Sequence, residues 1–127
     1  MTVPGPRVYA IGDIARKAGL TPRTVRYYED IGLLASVRRV EGGRRVYTDD
    51  DLRRLRFITR LKVLGLTLDE MKELEDLYLT HGSNDQVLPH LLELLDRHLD
   101  AIESRIKQLA VLKRDIQDYK RHLKDKI

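Results

Sequence analysis

Apolar residues fall at helical spacing over most of this chain, and glycines, a proline and capping residues separate the periodic stretches. Ile11, Ile14, Ala15 and Ala18 share one face of a first helix, which Gly19 ends. Thr21 caps a second helix and Pro22 fits its first turn, where no backbone N–H is needed. Val25, Tyr28 and Ile31 form its inward face, and Gly32 closes it. Residues 37–40 and 44–47 read as two short strands around Glu41-Gly42-Gly43, hence a small hairpin. Thr48 and three aspartates then open a helix, since carboxylates favour the positive end of the helix dipole. Leu52, Leu55, Ile58 and Leu61 carry it to Gly65. Thr67-Leu68-Asp69-Glu70 has the form of a capping box, and Met71, Leu74, Leu77 and Tyr78 give the following helix its apolar face. Residues 81–85 predict a loop, and residues 1–7, with Pro4, Gly5 and Pro6, a loose arm.

The last third has another pattern. Leu92, Leu95, Leu99, Ile102, Ile106 and Leu109 alternate at spacings of three and four, and Ile116 and Leu123 extend the series. Lys113 and Lys120 occupy the apolar slots between them. This heptad seam predicts a helix of about 35 residues, roughly 50 Å long at 1.5 Å per residue. Such a helix has no room to pack along its length on a small domain, so it calls for a partner, and the simplest is a second copy. Parallel and antiparallel pairing fit the seam equally. The predicted organisation is a domain at 7–81 followed by a dimerisation helix at 86–127, with Pro89 in that helix's first turn.

Charge separates the same two regions. Residues 7–62 hold 14 Lys/Arg against 7 Asp/Glu, a balance of +7, whereas residues 76–127 hold nine of each. A basic front half suits a polyanionic partner. The chain has no cysteine, which excludes disulfides, thiolate metal sites and iron–sulfur ligation. No apolar run is long enough to span a membrane and no secretory signal is visible, so a cytoplasmic protein with no membrane partner is expected.

The chemistry concentrates in the first two helices and the hairpin. Ala15 is small enough to let the second helix approach, Gly19 permits a left-handed turn, and Val25 fills the junction, a spacing that matches a DNA-binding helix-turn-helix. The second helix displays Arg23, Thr24, Arg26 and Tyr27 outward, groups able to bond phosphate oxygens or base edges. The plainer readings are core packing for one tyrosine, Tyr28 rather than Tyr27, and a surface ion pair of Arg26 with Asp30. The hairpin adds Arg38, Arg39, Arg44 and Arg45 with Tyr47 beside them. Arginines so crowded repel one another unless anions screen them, and a phosphate backbone is such an anion. Helix pair plus basic hairpin gives a mainly α fold, a winged helix-turn-helix followed by a long C-terminal dimerisation helix. Against an enzyme, no nucleophile–base pair, paired acids or phosphate-cradling glycine loop is present. A coiled-coil adaptor with a basic head, or an architectural DNA-binding protein, would not need this whole combination.

The chain resembles the MerR family of transcription regulators. The resemblance rests on residues 8–15 (VYAIGDIA), 21–29 (TPRTVRYYE), 31–34 (IGLL), 43–47 (GRRVY), Asp51-Leu52 and 61–70 (LKVLGLTLDE), and covers about residues 7–75. It implies a homodimer gripping a pseudo-palindromic double-stranded promoter, with the terminal helices paired antiparallel through Leu92, Leu95, Leu99, Ile102, Ile106, Leu109 and Ile116. It implies DNA contacts from Thr24, Arg26 and Tyr27 on the recognition helix, from Arg44, Arg45 and Tyr47 on the wing, and from Lys62 to a phosphate. It also implies RNA polymerase as a partner, reached by distorting an overlong promoter spacer.

The input signal is less defined. The chain ends almost at the long helix, so a large drug-binding domain is not expected, and the cysteine-dependent metal and redox sensors of the family are excluded in their usual form. His90 and His98 share a helix face two turns apart, too distant to chelate within one helix, and with His81 and His122 they are expected to be solvated or interfacial. No cofactor and no metal are implied. A further resemblance, to short regulators of branched-chain amino-acid and fatty-acid catabolism, rests on the short C-terminal region and the Leu-Tyr stretch before Gly82-Ser83-Asn84 and implies an acyl-CoA or related small-molecule effector.

Overall fold

The computed structural model describes residues 8–34, 39–41 and 43–127. The elements run β1 (Val8–Ala10), α1 (Ile11–Ala18), α2 (Pro22–Asp30), β2 (Arg39–Glu41), β3 (Arg44–Thr48), α3 (Asp49–Val63), α4 (Leu68–His81) and α5 (Val87–Lys124). Two compact units are distinguished, residues 1–87 and 88–127. Helix dominates, as the apolar spacing predicts. His81 ends α4 instead of opening a loop, and Gly82 follows it in the left-handed conformation.

The first unit is organised by its helix boundaries. Gly19 adopts φ 72°, and from that turn the Leu20 N–H reaches back to the Ala15 carbonyl. A side chain at Gly19 would strain this turn, because left-handed backbone costs L-residues about 1–2 kcal/mol. Two residues on, the Thr21 hydroxyl accepts the Thr24 N–H at 3.2 Å and starts α2. Thr48 and Asp51 form a reciprocal capping box on α3, and Thr67 and Glu70 another on α4. Asp51 is a buried charged residue, and its carboxylate accepts the Thr48 N–H at 2.7 Å.

The hairpin is part of a larger sheet. β3 lies in the centre, paired antiparallel with β2 on one side and β1 on the other. β1 is the element that hydrophobic spacing did not predict; its three residues are too few to show an alternation. Glu41, expected in the turn, pairs with Arg44 as the last residue of β2. The Tyr9–Tyr47 pairing brings Tyr9 next to the start of α3, where its hydroxyl donates to Asp49 Oδ1 at 2.6 Å and Lys17 Nζ lies 5.5 Å from its ring centre. Ile14, Val25, Tyr28, Leu33, Leu34, Tyr47 and Leu55 are all buried in this unit. Each such side chain contributes about 1.5–3 kcal/mol of burial energy.

The second unit is the remainder of α5. The helix has 38 residues, about 57 Å at 1.5 Å per residue, somewhat longer than the seam alone predicts. Leu92, Leu99, Ile102, Ile106, Leu109, Ile116 and Leu123 along it are exposed.

Candidate nucleic-acid interface

The outward face of α2 follows from what its inward face buries. Val25 and Tyr28 are turned into the core, so the helical period leaves Arg23, Arg26 and Tyr27 facing out. All three are exposed, and Tyr27 touches Tyr28 at a ring separation of 6.1 Å. Arg26 makes no ion pair with Asp30 among the described residues. Thr24 is half-buried, and its hydroxyl lies 2.9 Å from that of Thr21, so it is partly engaged in capping its own helix.

Alternation along β3 places Arg45 and Tyr47 on one side of the strand. Both reach Glu29, in the last turn of α2. Arg45 Nη1 donates to Glu29 Oε2 at 2.7 Å, and the Tyr47 hydroxyl donates to Glu29 Oε1. The Glu29 side chain is 9% exposed and the Arg45 side chain 52%. One nearly buried carboxylate therefore ties the wing's central strand to the recognition helix and leaves part of the arginine in solvent.

Tyr47 is placed unlike the exposed Arg44 and Arg45 on β3. Its exposure is 0%, and burial together with the hydrogen bond to Glu29 pushes its hydroxyl far above the usual phenol range. The Tyr47 hydroxyl is engaged by Glu29 and so joins β3 to α2. Glu29, given no role by the sequence reading, is the residue that pattern missed. Its partners lie 16 and 18 positions away, and no local periodicity reports such a contact.

The other expected contacts are distributed more widely. Arg44 is exposed on β3, and Lys62 is exposed in the last turn of α3. Arg39 lies in β2 opposite Val46. Arg38 falls outside the described residues. Between α3 and α4, Arg54 pairs with Glu75 and lies 5.2 Å from the Tyr78 ring centre. Burial raises the Glu75 carboxyl above the usual range in spite of Arg54, which acts in the opposite direction. Among the described residues no group of three or more His, Cys, Asp or Glu side chains is placed to hold a metal ion. No helix among the described residues is long and apolar enough to cross a membrane.

A model of the MerR HTH family regulatory protein matches residues 9–77, and a model described as MerR, DNA binding, matches residues 52–119. The chain belongs to the MerR family. It is 34% identical over 110 residues to the HTH-type transcriptional regulator ZntR of Escherichia coli, covering 87% of this chain and 77% of that one. An uncharacterized HTH-type transcriptional regulator of Pseudomonas aeruginosa is 36% identical over 112 residues, covering 88% and 83%. Among solved structures, HiNmlR, a MerR family regulator lacking the sensor domain and bound to promoter DNA, superposes with a TM-score of 0.65 at 27% identity, covering 91% of this chain and 92% of that one. A transcription regulator from Ralstonia metallidurans in complex with lead(II) gives a TM-score of 0.69 at 33% identity, covering 89% and 86%. The protein is a MerR-type DNA-binding transcription regulator with a mainly helical fold and a long C-terminal helix. Its relatives regulate transcription and are not enzymes, which removes the enzyme alternative.

Proposed function

We propose that this MerR-type regulator acts in the cytoplasm as a homodimer, paired through α5, on a pseudo-palindromic promoter. α2 enters the major groove, where Arg23, Thr24, Arg26 and Tyr27 meet base edges and phosphates. Arg44 and Arg45, with Arg38 and Arg39, form a wing on the flanking backbone, and Lys62 takes a further phosphate. Gripping two half-sites with two paired heads distorts the spacer between them and makes the promoter readable by RNA polymerase. The observation that carries this reading is the Glu29 cluster. It fixes a basic wing to a helix whose exposed face is Arg23, Arg26 and Tyr27. The wing and helix thus present one preorganised cationic surface, which lowers the entropy lost on binding. No effector is assigned.

The test is selection of bound fragments from sheared genomic DNA at near-physiological salt, followed by binding of the recovered site to the wild type and to Arg26→Ala. An inverted repeat is expected. The substitution should weaken binding by about 1–3 kcal/mol if Arg26 reads a base. Recovery without a motif would remove the proposed site, and an unchanged affinity would remove Arg26 from the reading set.

A further inference from the structure

Two lysines interrupt the otherwise apolar stripe of the α5 seam. With Leu92 and Leu95 as heptad positions a and d, Lys113 and Lys120 both fall at a, while Asp96 and Glu103 fall at e beside it. These four side chains make no ion pair within the chain among the described residues. Arg121 and Asp118 in α5 pair locally instead, three residues apart. An unpaired lysine in a seam costs stability, and a charged residue at a single a position is a known means of fixing register and orientation.

We propose that Lys113 and Lys120 set the register of α5 against a second copy by pairing with the partner's Glu103 and the partner's Asp96. This rests on the homodimer reading above and adds the residues that select orientation and partner. In a parallel, in-register pair Lys113 would face the partner's Lys113 and Lys120 the partner's Lys120, like charges in direct opposition. An antiparallel pair avoids this, because each a residue then faces a d residue.

One antiparallel register matches the whole seam. Ile106 faces the partner's Leu109 at the centre, and Leu92 faces the partner's Leu123 at the ends. Lys113 then lies opposite the partner's Ile102, whose next residue is the acidic Glu103. Lys120 lies opposite the partner's Leu95, whose next residue is Asp96. The e positions flank the a residues in antiparallel coils, so each lysine lays its methylene stem across an apolar neighbour and places its ammonium beside a carboxylate. Sliding one heptad either way breaks half of this pattern. In one direction Lys113 moves opposite Leu109, beside Ala110; in the other Lys120 moves opposite Leu88, beside Pro89. Only the central register gives both lysines an acid, and it sets Leu92, Leu99 and Ile106 opposite the partner's Leu123, the partner's Ile116 and the partner's Leu109.

The experiment uses full-length chains in sedimentation equilibrium, with circular dichroism to confirm helix content. One chain carries K113E and K120E, and a second carries D96K and E103K. In the proposed register each self-pairs like with like, so each alone should self-associate more weakly than wild type by ~100-fold or more. Mixed, all pairs are opposite in charge, and a 1:1 heterodimer should form. A single chain with all four substitutions should dimerise with itself as wild type does, which separates loss of pairing from loss of folding. Either two-substitution chain dimerising as tightly as wild type would overturn the register. So would failure both of the mixture and of the four-substitution chain to associate. A monomeric wild type at micromolar concentration would instead overturn the homodimer reading itself.

Discussion

The first unit and α5 bury their apolar residues in opposite ways. In residues 8–87 the large side chains of the core turn inward, and Ile14, Val25, Tyr47 and Leu55 have no measurable exposure. Along α5 the seam residues stay open, with Leu92 at 63% and Ile106 at 60%. The head is satisfied by its own chain, whereas the terminal helix holds its burial energy in reserve for another surface. Sequence reflects this difference. The head's elements are punctuated by turns and caps every ten to fifteen residues, as a chain folding back on itself requires, and α5 runs 38 residues without one. A lone helix of that composition has little to hold it except propensity, since tertiary packing supplies most helical stability in proteins.

The largest effect is expected where this contrast is inverted. Replacing Leu99 and Ile106 together by lysine puts four charges into a two-chain seam. The chain should sediment as a monomer and lose specific promoter binding, while the head's near-ultraviolet circular dichroism persists. A surviving dimer would mean that another face of the molecule mediates association. Leu55→Ala is the complementary change. It empties a buried site in α3 and should lower stability by about 2–5 kcal/mol in denaturant unfolding, with dimerisation of the folded fraction retained. If Leu55→Ala also dissociated the chains, the two regions would not be energetically separate.

Much of this was readable in sequence where the cause is local. Gly19, Thr21-Pro22 and the Thr67–Glu70 box fix their helix ends through neighbours a few positions away, and α1 ends and α2 and α4 begin where those residues predict. The heptad seam defined α5 for the same reason. What escaped depended on partners far along the chain. β1 exists because residues 8–10 meet residues 46–48, and Tyr47 is buried because β3 lies between two neighbours and not at a hairpin's open face. The basic pattern of 44–47 therefore gave no sign that Tyr47 would be buried. Glu29 carried no role in the local pattern, because its partners lie on β3.

That cluster offers an intermediate effect. In Glu29→Ala the buried Tyr47 hydroxyl loses its acceptor, which should cost about 1–3 kcal/mol in unfolding free energy. The Tyr47→Phe background should absorb much of that cost, because no hydroxyl is then left without a partner. Promoter affinity should fall in Glu29→Ala even at temperatures where the head is fully folded, since the wing is no longer tied to α2. Additive stability losses in the double variant would show that Glu29 and Tyr47 act separately, and the head would then lack the strand-to-helix tie that sets it apart from α5.

The smallest expected effect concerns the Arg54–Glu75 pair between α3 and α4. Its side chains are 20% and 11% exposed, and burial raises the Glu75 carboxyl although Arg54 pulls it down. A carboxyl raised on folding binds its proton more tightly in the native state. Its stabilising contribution is thus fully present below the unfolded value, close to 4.5, and is lost as pH rises through the raised native value. The size follows at about 1.4 kcal/mol per pH unit of displacement. Denaturant midpoints of wild type and Glu75→Gln, compared from pH 4.5 to 7, should show wild type gaining on the variant as pH falls. The opposite trend would mean that the attraction of Arg54 outweighs desolvation. The α3–α4 junction would then be held together by charge, in the same manner proposed for the seam of α5, and the line between a self-satisfied head and a partner-dependent helix would be one of geometry and not of the forces used.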